Sequence, residues 1–501
     1  MKRRNFIKSG GLGLTGTGLT TSVLSMAKGN MPLPVNHLPV EDDDLALNYH
    51  LMHPGGLSDP GDPNATFFLN GTYHLHYIIR HPWKNSRSFS FIHVSSRDML
   101  HWEWHETKLQ PSFTGHGMFS GTGFITKEGR PAIIYHGEGT NRNQIAIAKN
   151  KELSAWETPY PIEVKTKDGK EAQMKHWDPD CFLIDDTYYA ISGGQNPPLF
   201  KSKDLKNWTL VGDFLQQEMP DVVKGEDISC ANFFKIGDKW MLLCISHTFG
   251  CRYYLGDWDV KNEQFVPTSH QRMNWRREDQ YNLKHLNVFA PESVLTPDGR
   301  RVMWAWLATL DKSINKKSIQ SLPRELSLNE DGTLKIAPLS ELKSLRYDEK
   351  KIVNFEVDRK KRNNGGFATR HIAELPTDAI EIEATISREE AKKKRFGFHL
   401  FSDGQRDSGF QVVINPVTKS IRVGKTEAPF FVDNLPANED VNIRIFIDKY
   451  LVEVFVNDKQ AVFDACMDFD KNNGLYANTF GESSTFKEIK IWKMKPTNGA
   501  I

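Results

Sequence analysis

Apolar and polar residues alternate with a period of two along much of this chain. Tyr73-His74-Leu75-His76-Tyr77-Ile78 reads as a strand, as does Ala132-Ile133-Ile134-Tyr135, and Trp240-Met241-Leu242-Leu243-Cys244 follows more loosely. Long amphipathic helices are scarce before about residue 335. The strands come in repeats. Ser96-Arg97-Asp98-Met99-Leu100-His101-Trp102 is echoed by Asn150-Lys151-Glu152-Leu153-Ser154-Ala155-Trp156 and by Ser202-Lys203-Asp204-Leu205-Lys206-Asn207-Trp208, so three tryptophans fall 54 and 52 residues apart. Each follows a strand-like run: Phe89 to Ser95, Gln144 to Ala148 and Thr187 to Ile191. Short strands recurring at such a period mark propeller blades. The polar residue can cap a turn and the Trp can fill the wedge between neighbouring blades. The repeat fades near residue 310, which allows about five blades.

A change of composition near residue 340 ends the series. Ser340 to Arg346 reads as a short helix. Asp348 to Asn364, with Arg359-Lys360-Lys361-Arg362, reads as a solvated linker or hairpin edge. Alternation then returns in Ile380 to Thr385, Phe410 to Ile414, Val441 to Phe446, Leu451 to Val456 and Phe486 to Trp492, as in a second domain of sandwich type. The predicted fold is all-β, a five-bladed β-propeller followed by a β-sandwich. Its expected parts are a leader over residues 1–30, the propeller over 31–340, a linker over 341–364 and the sandwich over 365–501.

Composition narrows the function classes. Apolar residues at 39% and charged residues at 25% fit a folded globular protein, and a net charge of +1 argues against binding to nucleic acid or anionic lipid. Cys181, Cys230, Cys244, Cys251 and Cys466 show no metal-binding spacing and read mostly as buried, inert thiols. His74 and His76 share a strand face without a third placed ligand. No P-loop, nucleophile elbow or H-E-x-x-H motif occurs, so neither a cofactor nor a metal is expected. Lys2-Arg3-Arg4-Asn5-Phe6-Ile7-Lys8 looks like a twin-arginine export signal, and Ser25-Met26-Ala27 after a Gly/Thr-rich stretch suits signal peptidase. No later run is long and apolar enough to span a bilayer, so a periplasmic or extracellular protein without an integral membrane segment is expected. Oligomeric state is left open.

Three acidic segments are candidates for chemistry. Asp62 lies in Gly61-Asp62-Pro63-Asn64-Ala65, where the proline fixes the backbone. Asp178 lies in His176-Trp177-Asp178-Pro179-Asp180, beside rings that could stack on a sugar. Glu226 and Asp227 adjoin Ile228-Ser229-Cys230, ahead of the apolar run Phe233-Phe234-Lys235-Ile236. On spacing alone the first two are equally ordinary turns and the third a surface loop. Retaining glycoside hydrolysis needs two carboxyl groups about 5 Å apart, one nucleophilic and one protonated, and a propeller brings sequence-distant acids into one funnel.

The order of these segments resembles glycoside hydrolase family 32, the β-fructosidases, over nearly the whole mature chain. His53 to Ala65 is similar to its N-D-P-N-G region. Tyr73 to Tyr77 and Phe91-Ile92-His93-Val94 are similar to its Y-H-L-F-Y and W-G-H-A strands, and Phe119-Ser120-Gly121-Thr122 to its F-S-G-S loop. Trp177-Asp178-Pro179 stands where R-D-P would, and Tyr135 to Gly139 is similar to a Y-T-G turn, which makes Glu138 a possible substrate contact or a turn residue. Phe289-Ala290-Pro291-Glu292, Trp304-Ala305-Trp306 and Leu322 to Leu326 follow in family order, and Ile447 to Asn457 resembles the sandwich signature. The resemblance implies that Asp62 is the nucleophile, that Asp178 stabilises the transition state, and that Asn64, Phe119, Ser120, Trp177, Asp227 and Glu292 lie around the substrate. The chain departs from the pattern at Ala65, at Trp177 in place of Arg, and at Ser229-Cys230-Ala231 where E-C-P carries the acid/base. Serine cannot be the general acid. Glu226 is the first substitute, with Asp227, on the strand face of Ser229, and Glu292 as alternatives. The expected activity is retaining hydrolysis of fructosyl linkages in an oligo- or polysaccharide such as sucrose or a fructan. Hydrolysis of another furanoside or unusual glycan, or non-catalytic sugar binding, are the other readings.

Overall fold

A computed structural model of the chain describes residues 44–54, 60–84, 86–275, 287–309, 311, 314, 317–359 and 366–498. The expected leader over 1–30 lies outside these. Five antiparallel sheets follow one another to residue 338. Their innermost strands are Pro63–Leu69, Met118–Ile125, Asp180–Ile184, Ser229–Ile236 and Asn287–Leu295. Each lies against the next, and the fifth against the first, so they close a ring around one axis. The third blade takes an extra strand, Val164–Lys165, parallel to Trp208–Asp213. No helix among the described residues is long and apolar enough to cross a membrane.

The repeated turns do what their residues dictate. Asp98 Oδ1 accepts the backbone N–H groups of Leu100 (3.0 Å) and His101 (2.9 Å), and Asp204 Oδ1 those of Lys206 (2.9 Å) and Asn207 (2.8 Å). Three residues before each Trp the backbone is left-handed, with φ of 64° at Met99, 57° at Leu153 and 64° at Leu205. Trp156 and Trp208 then donate Nε1–H back to those carbonyls of Leu153 and Leu205. Each ring is buried with residues of the preceding blade: Trp156 with Phe67, Phe89 and Phe91, Trp208 with Phe124 and Ile134. Trp102 meets Trp304 of the fifth blade, ring centroids 5.9 Å apart. A fourth copy has Asp259 as the capping residue and Phe265 in the wedge.

The second domain is two six-stranded sheets. One runs Arg346–Val357, Ser484–Met494, Ala379–Ile386, Val441–Asp448, Leu451–Val456, Gln460–Ala465. The other runs Phe367–Glu374, Gly474–Phe480, Arg395–Ser402, Phe410–Asn415, Ser420–Val423, Thr426–Pro429. They bury a shared core that includes Ile382, Phe398, Val412, Ile445 and Val454. Ser340–Leu345 is a short 3-10 helix, near the expected bounds. The expected linker over 341–364 is not one, because Arg346–Val357 is an edge strand paired with Ser484–Met494. Its charged residues are mostly exposed, and charge on an edge discourages pairing with other chains.

The two domains are joined by buried charge. Asp448 and Glu453 of the sandwich are both sequestered from water. Asp448 accepts the backbone N–H groups of Asn48 (2.7 Å), Tyr49 (2.9 Å) and His50 (3.0 Å) and lies 2.8 Å from His50 Nδ1. Glu453 lies 3.3 Å from His50 Nε2 and accepts Leu322 N–H (2.8 Å) and Arg324 Nη2 (2.9 Å). Burial by itself would lower the His50 pKa, but hydrogen bonds and charge from the two carboxylates raise it to about 9. The imidazole is thus charged in the fold over a range where a free one, near 6.5, is neutral. Its stabilisation is complete below pH 6.5 and lost as pH rises through 9. The melting temperature is expected to decline across that window, through a loss of at most roughly 3 kcal/mol. His50→Gln should flatten the decline, and an unchanged slope in calorimetry would refute the assignment.

Candidate active site

The mouth of the channel is built from the first residues of the five inner strands and the loops before them. Four of the strands are bulged there, at Pro63/Ala65, Met118/Gly121, Ser229/Asn232 and Phe289/Pro291. Cys230 and Ala290 take left-handed φ of 47° at two of these bulges. A bulge re-aims the side chain beside it and ends regular pairing. The result is two layers of axis-facing residues, with Asp62, Ser120, Asp178 and Cys230 in the upper one.

Asp62 is buried and its loop is pinned on several sides. Its carbonyl accepts Ile78 N–H (2.9 Å) and the Asn64 amide. Gln320 donates to the carbonyl of Gly61 (2.7 Å) and Ser318 to that of Pro60 (3.0 Å). A Cβ on Gly61 would lie 2.8 Å from Trp306 Cδ1, so this turn needs glycine for close approach. Asn64 Oδ1 accepts Gly121 N–H at 3.0 Å. The Asn64 amide group braces the Asp62 loop, and its carbonyl oxygen ties the first blade to the second, which sets Asn64 in the framework of that loop. Ser120 Oγ donates to Asp62 Oδ2 at 3.1 Å, and Cys230 Sγ lies 3.5 Å from Ser120 Oγ and 3.6 Å from Asp178 Oδ2. Asp62 and Asp178, more than a hundred residues apart in sequence, are thus linked across the floor through one hydroxyl and one thiol.

Rings form the wall above this floor. Trp306 meets Phe289 (6.1 Å between centroids), and Phe289 meets His247 edge-on (5.9 Å). On the other side Trp177 meets His136 (5.6 Å), His136 stacks on Phe119 (5.8 Å), and Phe119 leans on Phe89 (4.8 Å). The gap between His247 and Trp177 is bridged by polar contacts. Asp227 Oδ2 lies 2.5 Å from His247 Nδ1, Ser229 Oγ donates to Asp227 Oδ2 (2.9 Å), and Trp177 Nε1 donates to Ser229 Oγ (3.1 Å). Flat faces over a carboxylate floor suit a sugar, whose C–H faces stack while its hydroxyls bond. His247, His136, Phe89 and Trp306 belong to this wall; His136 and Trp306 lie in segments similar to the family pattern, whereas nothing in the local sequence marks His247 or Phe89 as site residues. His74 and His76 lie elsewhere, stacked with His93 inside the first blade, where burial lowers their pKa values to about 4 and about 3. Glu138 accepts from Ser88 Oγ at 2.8 Å and its N–H bonds the Gly117 carbonyl, a turn role.

The remaining acids separate by environment. Glu226 faces the outer strands of its own blade. It accepts Arg272 at 2.7 and 3.1 Å, lies 3.3 Å from Arg252 Nη1 and accepts Val223 N–H at 2.8 Å. Burial works to raise its pKa, but the Arg272 hydrogen bonds and the Arg252 charge leave it lowered, the reverse of what a proton donor needs. The geometry does not suit Glu226 to the acid role that sequence reasoning gave it. Asp227 accepts His247 N–H (2.9 Å) besides the contacts above. Burial opposes, but does not overcome, its hydrogen bonds and charge contact with His247, which hold it well below the usual carboxylate range. Glu292 sits in the lower layer with Thr66, Thr122, Asp180 and Asn232. It accepts Thr66 Oγ1 (3.2 Å), while Asp180 accepts Thr122 Oγ1 (2.5 Å) and Phe233 N–H (2.6 Å). Burial, then the Asp180 charge, pushes Glu292 well above its ordinary value, and burial raises Asp180 to about 6. Glu292 thus lies beneath the mouth, on a different level from Asp62.

A funnel with a carboxylate floor and an aromatic wall, on a propeller backed by a sandwich, defines a carbohydrate-processing enzyme. Residues 50–338 match the model of the glycosyl hydrolases family 32 N-terminal domain and residues 341–493 that of the family's C-terminal domain, so the chain belongs to glycoside hydrolase family 32. It is 23% identical to a sucrose-6-phosphate hydrolase of Bacillus subtilis (90% of this chain, 95% of the relative) and 25% identical to a levanase of the same organism (91% and 72%). Among solved structures it is similar to fructan 1-exohydrolase IIa from Cichorium intybus (TM-score 0.69, 18% identity, 90% of this chain and 98% of that one). Exo-inulinase from Aspergillus awamori is similar in fold as well (TM-score 0.69, 17% identity, 91% and 99%).

Removing the Glu226 charge should affect stability before chemistry. Glu226→Gln leaves Arg252 buried without its counter-ion and is expected to cost about 3–5 kcal/mol in denaturant unfolding. The shape of the pH–rate profile should not change, and loss of one of its limbs would return Glu226 to the reaction.

Proposed function

We propose that this glycoside hydrolase cleaves fructosyl linkages in sucrose or fructans with retention. Asp62 attacks the anomeric carbon, and Asp178 holds ring hydroxyls and balances the positive charge that develops there. The observation that carries this reading is the link between Asp62 and Asp178 through Ser120 and Cys230 on the floor of the funnel. Ser120 donates to one Asp62 oxygen and so orients the carboxylate. Phe119 and Trp177 supply ring faces for the sugar. The names of the relatives, among them a levanase and a fructan exohydrolase, support the fructosyl substrate.

One feature favours a second reading, hydrolysis of a different furanoside. Trp177 stands where the family pattern has Arg, donates Nε1–H to Ser229 and carries the Lys175 ammonium 4.3 Å from its ring centroid. A stacking face there replaces a cation that would bond a sugar hydroxyl. Sucrose, inulin, levan and arabinan are therefore compared. Fructose release that falls by more than about 10³-fold in Asp62→Asn is the expected result. Mutant-sensitive release from arabinan alone would move the substrate, and saturable binding without turnover would make the protein a sugar-binding propeller.

The basic segment Lys2 to Lys8 supports export through the twin-arginine route, to the periplasm or beyond. Replacing Arg3 and Arg4 with lysine should hold the chain in the cytoplasm on fractionation, and continued export would refute the signal.

A further inference from the structure

Retaining hydrolysis needs a group that gives a proton to the leaving oxygen and later takes one from water. None of the three acids considered for it is suitably placed. Glu226 is locked between two arginines, Asp227 is held ionised, and Glu292 lies one layer down. The wall of the funnel holds one further titratable group beside Ser229. His247 follows the strand Lys239–Ser246, which pairs with the inner strand of its blade so that Ser229 lies opposite Ile245. Two residues further on, His247 reaches the level of Asp227. Its Nδ1 is 2.5 Å from Asp227 Oδ2, its backbone N–H donates to Asp227 Oδ1 (2.9 Å), and Arg252 Nη2 donates to the Asp227 carbonyl (2.8 Å). The Phe289 ring braces the imidazole edge-on, and Phe289 in turn meets Trp306, which lies against Gly61 next to Asp62. The His247 side chain is 21% exposed, and among the described residues its Nε2 takes no hydrogen bond.

We propose that His247, oriented by Asp227, is the proton donor and acceptor of this enzyme. The assignment rests on the retaining reading with Asp62 as nucleophile. In the first step an Asp62 oxygen forms a bond to the anomeric carbon. The bond from that carbon to the leaving oxygen breaks, its electron pair staying on the oxygen, which takes the Nε2 proton of the imidazolium. In the second step the neutral imidazole takes a proton from water as the water oxygen bonds the anomeric carbon, and Asp62 departs with the electron pair of the ester bond. Imidazolium and carboxylate are both restored. Asp227 is a positioning residue: as an anion it fixes Nδ1–H and so presents Nε2–H to the funnel. The other charged groups behind the ring are Arg252, on the Asp227 carbonyl, and the Glu226–Arg272 pair, which compensate one another.

The test compares sucrose, or whichever fructan the enzyme cleaves, with fructosyl fluoride, whose leaving group needs no proton. His247→Ala should lower kcat/KM on the sugar substrate by about 10²–10⁴-fold and on the fluoride by less than about tenfold. With the fluoride, kcat and KM should fall together, because the Asp62 ester accumulates when its base is missing, and added azide should restore kcat and yield a fructosyl azide of retained configuration. Asp227→Asn, which keeps the side-chain shape but not the charge, should lower kcat/KM on the sugar substrate while largely sparing the fluoride, and adding His247→Ala to it should cost little more. Equal losses on both substrates, or an unaffected rate on the sugar, would overturn the role of His247. Turnover of the fluoride by the wild-type enzyme that survives Asp62→Asn, or no turnover at all, would overturn the retaining reading itself and this assignment with it.

Discussion

Five strands side by side around one axis leave very little room, and that crowding shapes the rest of the molecule. Wedges open between the blades as they splay outward, and large rings must fill them. Trp156, Trp208 and Phe265 do so from the same position of successive blades, each closed by a turn that a side-chain carboxylate or amide caps. Toward the axis the problem is reversed. Strands meet closely, and the polar groups they present must find partners in one another. The lower layer satisfies this with a ring of hydroxyls and amides around a raised-pKa acid pair, Glu292 and Asp180, near the Arg301 guanidinium. The upper layer links its groups to one another through Ser120 and Cys230, at bulges that turn side chains toward the open mouth.

Much of this was legible in the sequence. The period of two gave strands, the Trp spacing gave blades, and the ordered fragments pointed to Asp62 and Asp178, which the floor brings together. Other features were hidden for physical reasons. The fourth blade lacks the tryptophan that marks the repeat, because Phe265 fills its wedge equally well. Arg346–Val357 looked like a solvated connection because an edge strand exposes most of its side chains, and its partner lies more than a hundred residues on. The direction of Glu226 depends on two arginines in the outer strands of its blade, and no local pattern reports such partners. His247 reaches Asp227 only because two strands pair in one register, a fact of tertiary structure.

Two of the departures from the family pattern, Trp177 and Ser229, form one connected substitution. Ser229 in place of a glutamate removes a carboxylate and leaves a hydroxyl, which takes a hydrogen bond from Trp177 and gives one to Asp227. Trp177 in place of an arginine removes a cation. Two opposite charges are thus lost together, and a neutral chain of donors and acceptors joins the wall where they would have stood. The local charge balance is kept while the chemistry of the wall changes.

The charge clamp between the domains also orders events during synthesis. Asn48 and Asp448 are separated by 400 residues, so the segment that leads into the first blade cannot be fastened until nearly the whole chain has been made. Until then the propeller can have its five sheets, but residues 48–50 lack the Asp448 carboxylate that takes their backbone N–H groups. Contacts of such long range are slow to form and leave a partly assembled chain exposed meanwhile. Completion of the C-terminal domain therefore acts as a checkpoint on the N-terminal one, and a truncated translation product lacks the lock of a finished enzyme.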